Sequence, residues 1–318
     1  LGWASYSEPP VLFHIPDVGG WAVAGGEWPS RVQPADGSPM TRVPDDMTAG
    51  PSQMKALVPL YDSSGVSTEQ LEAISRDGTR VPYYIIRRPG PPDRPVLIYA
   101  YGGFGIPVLP TYTATVGAAW LERGGVYVEA NLRGGGEFGP AWSQVARKGG
   151  RLKAYEDLEA VADDLVQRGL AVKGRLGLLG RSNGGLLVGN MLMRLPGRFA
   201  ALVGEVPLLD MQVYHRLLAG ASWIAEYGNP DEPGDWEQLR QISPFHLATE
   251  PHIISASSRS PVLFTTSTRD DRVHPGHARK MVRRLQMLQK NQSSTAYLFE
   301  SPEGGHGGAT SIAERAFL

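Results

Sequence analysis

One serine lies in a glycine-rich pentapeptide whose pattern is typical of a catalytic nucleophile. The segment Gly180-Arg181-Ser182-Asn183-Gly184 has the form G-x-S-x-G and is the only such segment in the chain. It stands between an apolar run that ends at Leu179 and a helical pattern that begins near Leu186. A nucleophilic serine needs a sharp strand-to-helix turn, where glycines avoid clashes and the helix N-terminus favours negative charge. We therefore expect Ser182 to be a nucleophile.

A serine hydroxyl needs a base that takes its proton, and in hydrolases with this motif the base comes last along the chain, after the acid. His306 lies in the segment Pro302-Glu303-Gly304-Gly305-His306-Gly307-Gly308, directly after the last apolar run. Glycines on both sides allow its backbone to approach the serine. His306 is the predicted base, and a histidine in a surface loop is the alternative.

The acid is expected in the loop after the preceding strand. The run 262–266 leads into Asp270 and Asp271, and position alone allows either carboxylate. Asp270, His274 and His277 could also suggest metal ligands. However, His277 opens a helical pattern and no third ligand follows the known zinc spacings, so we predict no metal.

A second glycine pattern, Gly134-x-Gly136-x-x-Gly139, formally matches a dinucleotide-binding fingerprint. Pro140 follows it, a clear helix does not, and the motif is not in the first strand–helix unit. We expect a rigid loop near the edge of the sheet, and no cofactor.

The elements that must position these residues alternate between strands and helices. Short, dense apolar runs suit strands buried on both faces of a parallel sheet, and they lie at 96–100, 126–130, 176–179, 201–203, 262–265 and 296–299. Amphipathic helical patterns lie at 152–168, 186–195 and 277–290. Asp77-Gly78, between runs at 71–74 and 81–86, predicts an antiparallel hairpin at the start. The pattern predicts an α/β-hydrolase fold, with a mostly parallel, doubly wound sheet.

Composition restricts the partners. The 318 residues have a net charge of −1, with 42% hydrophobic residues, and form no basic strip and no apolar run that would span a bilayer. We expect neither nucleic acid nor a membrane as partner. Cysteine is absent, which excludes thiolate catalysis and disulfides but leaves the compartment open.

Five motifs, in order along the chain from about residue 68 onwards, resemble those of the prolyl oligopeptidase family. They are Tyr101-Gly102-Gly103-Phe104, residues 131–139, Gly180 to Gly185, Asp270-Asp271-Arg272-Val273 and Gly305-His306-Gly307. The resemblance implies that Asp270 is the acid of a triad with Ser182 and His306. It also implies an oxyanion hole formed by the Tyr101 hydroxyl and the backbone N–H of Asn183.

The same resemblance implies the substrate site. Arg272 is similar to an arginine that binds a peptide carbonyl, and four apolar residues are similar to a pocket for a proline ring: Phe104, Trp223, Tyr227 and Val273. Leu208 departs from the pattern, since proline-specific members often have the smaller valine there. The implied function is a serine-type oligopeptidase that hydrolyses short peptides, preferably after proline. The alternatives are an esterase or a broader peptidase of the same superfamily, and an inactive peptide-binding fragment.

The resemblance also implies a β-propeller domain at the N-terminus of the full-length protein. Residues 1–65 are rich in proline and glycine, and we expect a propeller remnant and linker there, followed by a catalytic domain at 66–318. The first residue is not methionine, and the last residues, 314–318, resemble an interrupted helix. We expect a fragment of a longer protein.

Overall fold

The computed structural model describes residues 2–3, 5–9, 11–14, 52–56, 58–249, 260–289 and 295–307. Residues 15–51, part of the predicted propeller remnant and linker at 1–65, and the expected C-terminal helix at 314–318 lie outside the described residues. The chain divides into two compact units. The small unit comprises residues 1–67 and 110–123, and the large unit comprises residues 68–109 and 124–318.

The small unit contains an antiparallel sheet of three short strands in the order β1-β2-β3, counted over the described residues. The strands are β1 (Gly2–Trp3), β2 (Val11–His14) and β3 (Ser52–Ala56). A short helix, α1 (Ala114–Val116), continues into a turn of π-helix at Gly117–Leu121. Tyr61 stacks on Tyr112 at 5.3 Å between ring centroids and donates a hydrogen bond to the carbonyl of Tyr6 at 2.7 Å.

The large unit is built on an eight-stranded sheet, again counted over the described residues. Its strands are β4 (Ser67–Ile74), β5 (Arg80–Arg87), β6 (Val96–Ala100), β7 (Val126–Ala130), β8 (Leu176–Arg181), β9 (Ala201–Glu205), β10 (Val262–Ser267) and β11 (Ala296–Ser301). Their order is β11-β10-β9-β8-β6-β7-β5-β4. Every pair from β11 through β7 is parallel, and β5 joins β7 in the antiparallel sense. The six predicted apolar runs and the two runs of the predicted hairpin all form strands of this sheet.

The described helices of the large unit are α2 (Pro140–Gln144), α3 (Leu152–Gln167), α4 (Asn183–Arg194), α5 (Ile224–Tyr227), α6 (Pro233–Leu239), α7 (Pro244–Leu247) and α8 (Gly276–Leu288). The apolar stripe predicted for α3, from Leu158 to Leu165, is buried in the core. Burial of that stripe fixes the helix against its neighbours, because apolar area is removed from water. No described helix is both long and apolar enough to span a bilayer.

The strand connections diverge at one point in the sheet. The chain leaves β6 towards β7 on one side, and it leaves β8 towards β9 on the other side. In open α/β sheets, ligands bind at such a divergence, beyond the carboxyl ends of the strands. Tyr101 directly follows β6, and Ser182 directly follows β8. The topology therefore places both residues at this divergence.

The glycine loop after β7 differs from its expected position. β7 lies between β6 and β5, inside the sheet, so the loop is not near an edge. It contacts the loop that follows β6, because the N–H of Gly105 donates to the carbonyl of Gly134 at 2.9 Å. Directly after Gly139 the chain forms α2, which has only five residues. The sequence likewise showed no clear helical pattern after this motif.

Candidate active site

Ser182 occupies the turn between β8 and α4 in a conformation that few residues other than glycine adopt. Its φ is 56° and its ψ is −112°, and its N–H donates to the carbonyl of Glu205 at 2.8 Å. A Cβ atom on Gly180 would lie 2.3 Å from the carbonyl oxygen of Gly184, and one on Gly184 would lie 2.6 Å from that of Ala100. The two glycines are therefore required by close packing, and they allow the turn that exposes the serine hydroxyl.

The three predicted members of the triad form one chain of hydrogen bonds. His306 Nε2 lies 3.2 Å from Ser182 Oγ. On the other side of the ring, His306 Nδ1 lies 2.9 Å from Oδ2 and 3.1 Å from Oδ1 of Asp270. Asp271, the alternative acid, is exposed to solvent. The structure thus brings together Ser182, His306 and Asp270.

Asp270 is buried but ionised at neutral pH. Burial raises the pKa of its carboxyl, but hydrogen bonds from His306 and from the backbone N–H groups of Arg272 and Val273 outweigh that effect and hold the pKa below its ordinary value. Both N–H groups donate to Oδ1 at 2.9 Å. An ionised Asp270 keeps a proton on Nδ1 of His306, so Nε2 is free to accept the serine proton.

Arg181, the residue before the serine, has a role that sequence reasoning missed. Its Nη1 lies 3.3 Å from Oε2 of Glu205, and its Nη2 donates to the backbone carbonyl of His306. It thus connects the serine turn to the loop that carries the histidine. The x positions of G-x-S-x-G carry no signal for such a contact, because the partner is 125 residues away.

Each of the two residues predicted to form the oxyanion hole carries a hydrogen-bond donor. Asn183 is the first residue of α4, where backbone N–H groups have no partner within the helix. Burial raises the pKa of the Tyr101 hydroxyl to about 12, so it remains a donor at neutral pH. The Asn183 side chain holds the two segments together, because Nδ2 donates to the Tyr101 carbonyl at 2.5 Å.

Three of the four residues predicted to line an apolar pocket pack together, with Phe104 between the other two. Its ring meets Trp223 edge-on at 6.5 Å and Tyr227 edge-on at 5.4 Å between centroids. Trp223 is 9% exposed, whereas Tyr227 is 1% exposed and donates its hydroxyl to Asn183 Oδ1 at 2.8 Å. Tyr227 therefore packs behind Phe104 and connects the aromatic cluster to the serine turn.

The two remaining predicted substrate-site residues follow Asp270. Val273 is buried, with 2% of its surface exposed, and Arg272 is exposed. The backbone of both is tied to the Asp270 carboxylate. Peptide binding by Arg272 therefore stays a prediction from the family resemblance.

The histidines considered as metal ligands have other partners. Nδ1 of His274 accepts the N–H of Gly276 at 3.0 Å, and Nδ1 of His277 accepts the N–H of Asp210 at 3.1 Å. Among the described residues, no group of three or more His, Cys, Asp or Glu side chains is arranged to hold a metal ion.

Comparison with known proteins identifies the family. The model of the prolyl oligopeptidase family matches residues 112–317. The chain belongs to this family. It is 44% identical over 259 residues to an uncharacterized peptidase of Sinorhizobium fredii, which covers 80% of this chain and 34% of that protein. It is 34% identical over 255 residues to a prolyl endopeptidase of Elizabethkingia miricola, covering 79% of this chain and 35% of that enzyme.

Solved structures of the prolyl oligopeptidase family have the same fold. A prolyl endopeptidase superposes with a TM-score of 0.81 at 32% identity, covering 99% of this chain and 42% of the other. A post-proline cleaving enzyme from Rickettsia typhi superposes with a TM-score of 0.74 at 36% identity, covering 81% of this chain and 36% of the other. The predicted α/β-hydrolase fold is confirmed. The chain spans about a third of the length of these curated relatives.

Proposed function

We propose that this chain provides the catalytic part of a serine peptidase that hydrolyses short peptides after proline. The observation that carries the proposal is the continuous hydrogen-bonded chain from Ser182 through His306 to Asp270. Those contacts supply a nucleophile, a base and a group that orients the base. Membership of the prolyl oligopeptidase family supports peptides as the substrate class.

The reaction proceeds through an acyl-enzyme. Ser182 Oγ attacks the carbonyl carbon of the scissile bond while His306 Nε2 accepts its proton, and the carbonyl oxygen becomes an oxyanion. The Tyr101 hydroxyl and the Asn183 N–H donate hydrogen bonds to this oxygen. His306 then gives the proton to the leaving amine as the C–N bond breaks. A water molecule, activated by the same imidazole, hydrolyses the ester.

Specificity comes from the aromatic pocket and Arg272. A proline ring is rigid and has no N–H to satisfy, so an apolar site lined by Phe104 and Trp223 receives it at low entropic cost. Arg272 binds a carbonyl of the peptide backbone. Leu208, which is 1% exposed, follows β9 where a valine is common in proline-specific members, and a longer side chain there favours the broader-specificity alternative.

We propose further that residues 1–65 are a propeller remnant and linker, and that a propeller domain completes the full-length protein. The antiparallel strands β1 to β3 support this assignment, since propeller blades are antiparallel sheets. Residues 66–318 then form the catalytic domain.

A fluorophosphonate probe tests the chemistry directly. We expect covalent labelling of the chain, complete loss of labelling in Ser182→Ala, and a fall in kcat of about 10⁶-fold in that variant. Labelling that persists in Ser182→Ala would contradict the assignment of the nucleophile. A chain that is never labelled favours the inactive peptide-binding alternative.

Reporter substrates test the specificity. We expect kcat/KM for a Gly-Pro reporter to exceed kcat/KM for a Gly-Ala reporter. A simple ester is the third substrate, with which both peptides are compared. Equal values for proline and alanine would remove the claim of cleavage after proline, and hydrolysis of the ester alone would support an esterase.

A further inference from the structure

A buried ion pair lies behind the candidate site and has no part in the mechanism above. Side chains of Arg151 and Glu226 are 1% and 5% exposed, and Nη2 of the arginine lies 2.8 Å from Oε1 of the glutamate. Arg147 adds a second contact, from Nε to Oε2 of Glu226 at 3.2 Å. Burying two charges carries a desolvation penalty, so a pair of this kind is weak evidence for stability and invites another explanation.

Both charged groups also hold the backbone of the loop that follows β6. Arg151 Nη1 donates to the carbonyl of Gly102 at 2.6 Å, and the N–H of Phe104 donates to Oε1 of Glu226 at 2.8 Å. Phe104 has a φ of 59°, a left-handed conformation that a bulky residue keeps only when its surroundings enforce it. The pair thus supplies two of the hydrogen bonds that keep this strained loop in place.

The same pair contacts the other wall of the pocket. The guanidinium of Arg151 lies over the ring of Tyr227, 4.9 Å from its centroid. Glu226 directly precedes Tyr227 in α5, and Trp223 directly precedes that helix. The loop that carries Tyr101 and Phe104 is therefore joined, through two side chains, to the helix that carries the remaining aromatics.

We propose that Arg151 and Glu226 are positioning residues, which together set the place of the Tyr101 hydroxyl and of the Phe104 ring. Oxyanion stabilisation and selectivity for proline are then coupled, since both depend on one loop whose backbone this ion pair binds at Gly102 and Phe104. This inference rests on the proposed function. Neither residue touches the substrate, and both act through the loop and the aromatic cluster.

Two conservative substitutions test the proposal. Glu226→Gln keeps an oxygen that can accept the Phe104 N–H but removes the charge that faces Arg151. Arg151→Lys keeps the charge but lacks the planar fork that serves Gly102 and Glu226 at once. Since a displacement of about 1 Å can cost about 100-fold in rate, we expect kcat/KM for the Gly-Pro reporter to fall by about 100-fold in each variant.

The decisive readout is the ratio of kcat/KM for Gly-Pro to that for Gly-Ala. The rates of hydrolysis of the two reporters scale equally with the concentration of folded enzyme. Partial unfolding therefore leaves the ratio of the two kcat/KM values unchanged. An apolar pocket discriminates between substrates of similar size by about 10–200-fold, and we expect this ratio to fall by about tenfold in both variants. The rate of fluorophosphonate labelling should fall with it.

Asp77→Asn is the matched control. Asp77 forms an ion pair with a different buried arginine, Arg133, at 2.5 Å, in the turn between β4 and β5. That variant should lower Tm while leaving the substrate ratio unchanged.

The outcomes separate this proposal from the proposed function. A wild-type chain that lacks labelling dependent on Ser182 contradicts the proposed function itself. Labelled wild-type protein whose Glu226→Gln and Arg151→Lys variants keep the wild-type ratio, with or without a lower Tm, overturns only the positioning role. Failure of both variants to fold assigns the pair to stability alone and also overturns it.

Discussion

Tyr101 and Asp270 have opposite protonation states at neutral pH, and each state follows from the local surroundings. Burial removes water from the Tyr101 hydroxyl and raises its pKa to about 12. The positive charges of Arg151 and Arg272 lower this pKa, but by less than burial raises it. Asp270 is also buried, but three hydrogen bonds stabilise its charged form. The candidate site thus contains a neutral hydroxyl at Tyr101 and a fixed negative charge at Asp270, which lies next to the base.

Replacing Tyr101 by phenylalanine removes only the hydroxyl. Loss of one oxyanion donor costs about 100- to 1,000-fold in kcat, and we expect a decrease of this size in Tyr101→Phe with little change in KM. Steady-state kinetics with the Gly-Pro reporter measure both constants.

Tyr155→Phe is a suitable control, because this buried hydroxyl lies next to Asn190 at 3.3 Å, away from the candidate site. An equal loss of kcat in both variants would mean that the effect of Tyr101→Phe is not specific to an oxyanion.

Elements far apart in sequence meet at the turn after β8. The loop after β11 carries His306, and Arg181 in β8 holds its backbone carbonyl while it pairs with Glu205 in β9. The histidine is therefore positioned by its carboxylate partner on one side and by a guanidinium on the other.

Arg181→Ala releases the carbonyl of His306. Because a base displaced by about 1 Å costs about 100-fold in rate, we expect kcat to fall by up to that factor while the fold is retained. Arg181→Lys should recover part of the loss, since an ammonium can still donate to the carbonyl.

Arg269→Ala is the control for that prediction. Arg269 pairs with Glu303 at 3.0 Å, and both side chains are more than 60% exposed. Exposed pairs contribute about 0–1 kcal/mol, so this variant should keep its activity. Comparable losses in both variants would contradict a specific role of Arg181.

Helix α8 carries a buried neutral histidine near its start. His277 accepts the N–H of Asp210, and burial lowers the pKa of its imidazole to about 4, an effect that the nearby Asp210 carboxylate only partly opposes. Between pH 6.5 and 4 the unfolded chain therefore binds a proton at this residue that the folded chain does not. The contribution of neutral His277 to the free energy of unfolding is complete above about pH 6.5, and it is lost as the pH falls towards 4.

We expect His277→Asn to flatten this dependence, because the amide oxygen can accept the same N–H without titrating. Free energies of unfolding from urea titrations at pH 7 and pH 4 provide the test. The decrease on acidification should be larger in the wild type than in the variant by about 3 kcal/mol. Equal decreases would show that His277 does not contribute to the acid sensitivity.

At the scale of the whole large unit, one buried network joins the start of the sheet to α3. Arg133, in the loop after β7, binds the Asp157 carboxylate from α3 through Nε and Nη2, and its Nη2 also donates to Ser75 in the turn after β4. Asp157 is fully buried and Arg133 is 3% exposed. Removing the Asp157 charge leaves the buried Arg133 guanidinium with only one carboxylate partner, Asp77, whose side chain is 39% exposed.

Asp157→Asn should lower the free energy of unfolding by about 3–5 kcal/mol, which is typical when one partner of a buried pair is removed. The exposed pair of Arg240 and Glu237, at 2.8 Å, is the control, and Glu237→Gln should change stability by at most about 1 kcal/mol. Denaturant titrations of both variants measure the difference. Similar losses would indicate that burial of the Arg133 network is unimportant.

Much of the fold could be predicted because its signals are local. The apolar runs at 96–100 and 126–130 are strands within the described sheet, with the predicted bounds. The hairpin signal Asp77-Gly78 lies in the turn between β4 and β5. Each depends on residues close together in sequence, where composition and periodicity determine the element.

By itself the sequence determined the strand–helix alternation, the serine turn and the late glycine-flanked histidine. It left Asp270 and Asp271 equivalent by position, and the resemblance to the prolyl oligopeptidase family favoured Asp270. Only the tertiary structure decided which carboxylate faces the imidazole, and only it brought Arg151 next to Glu226, 75 residues apart, and Arg181 next to His306, 125 residues apart. Such contacts depend on the three-dimensional arrangement of distant loops, which no local pattern of residue types encodes.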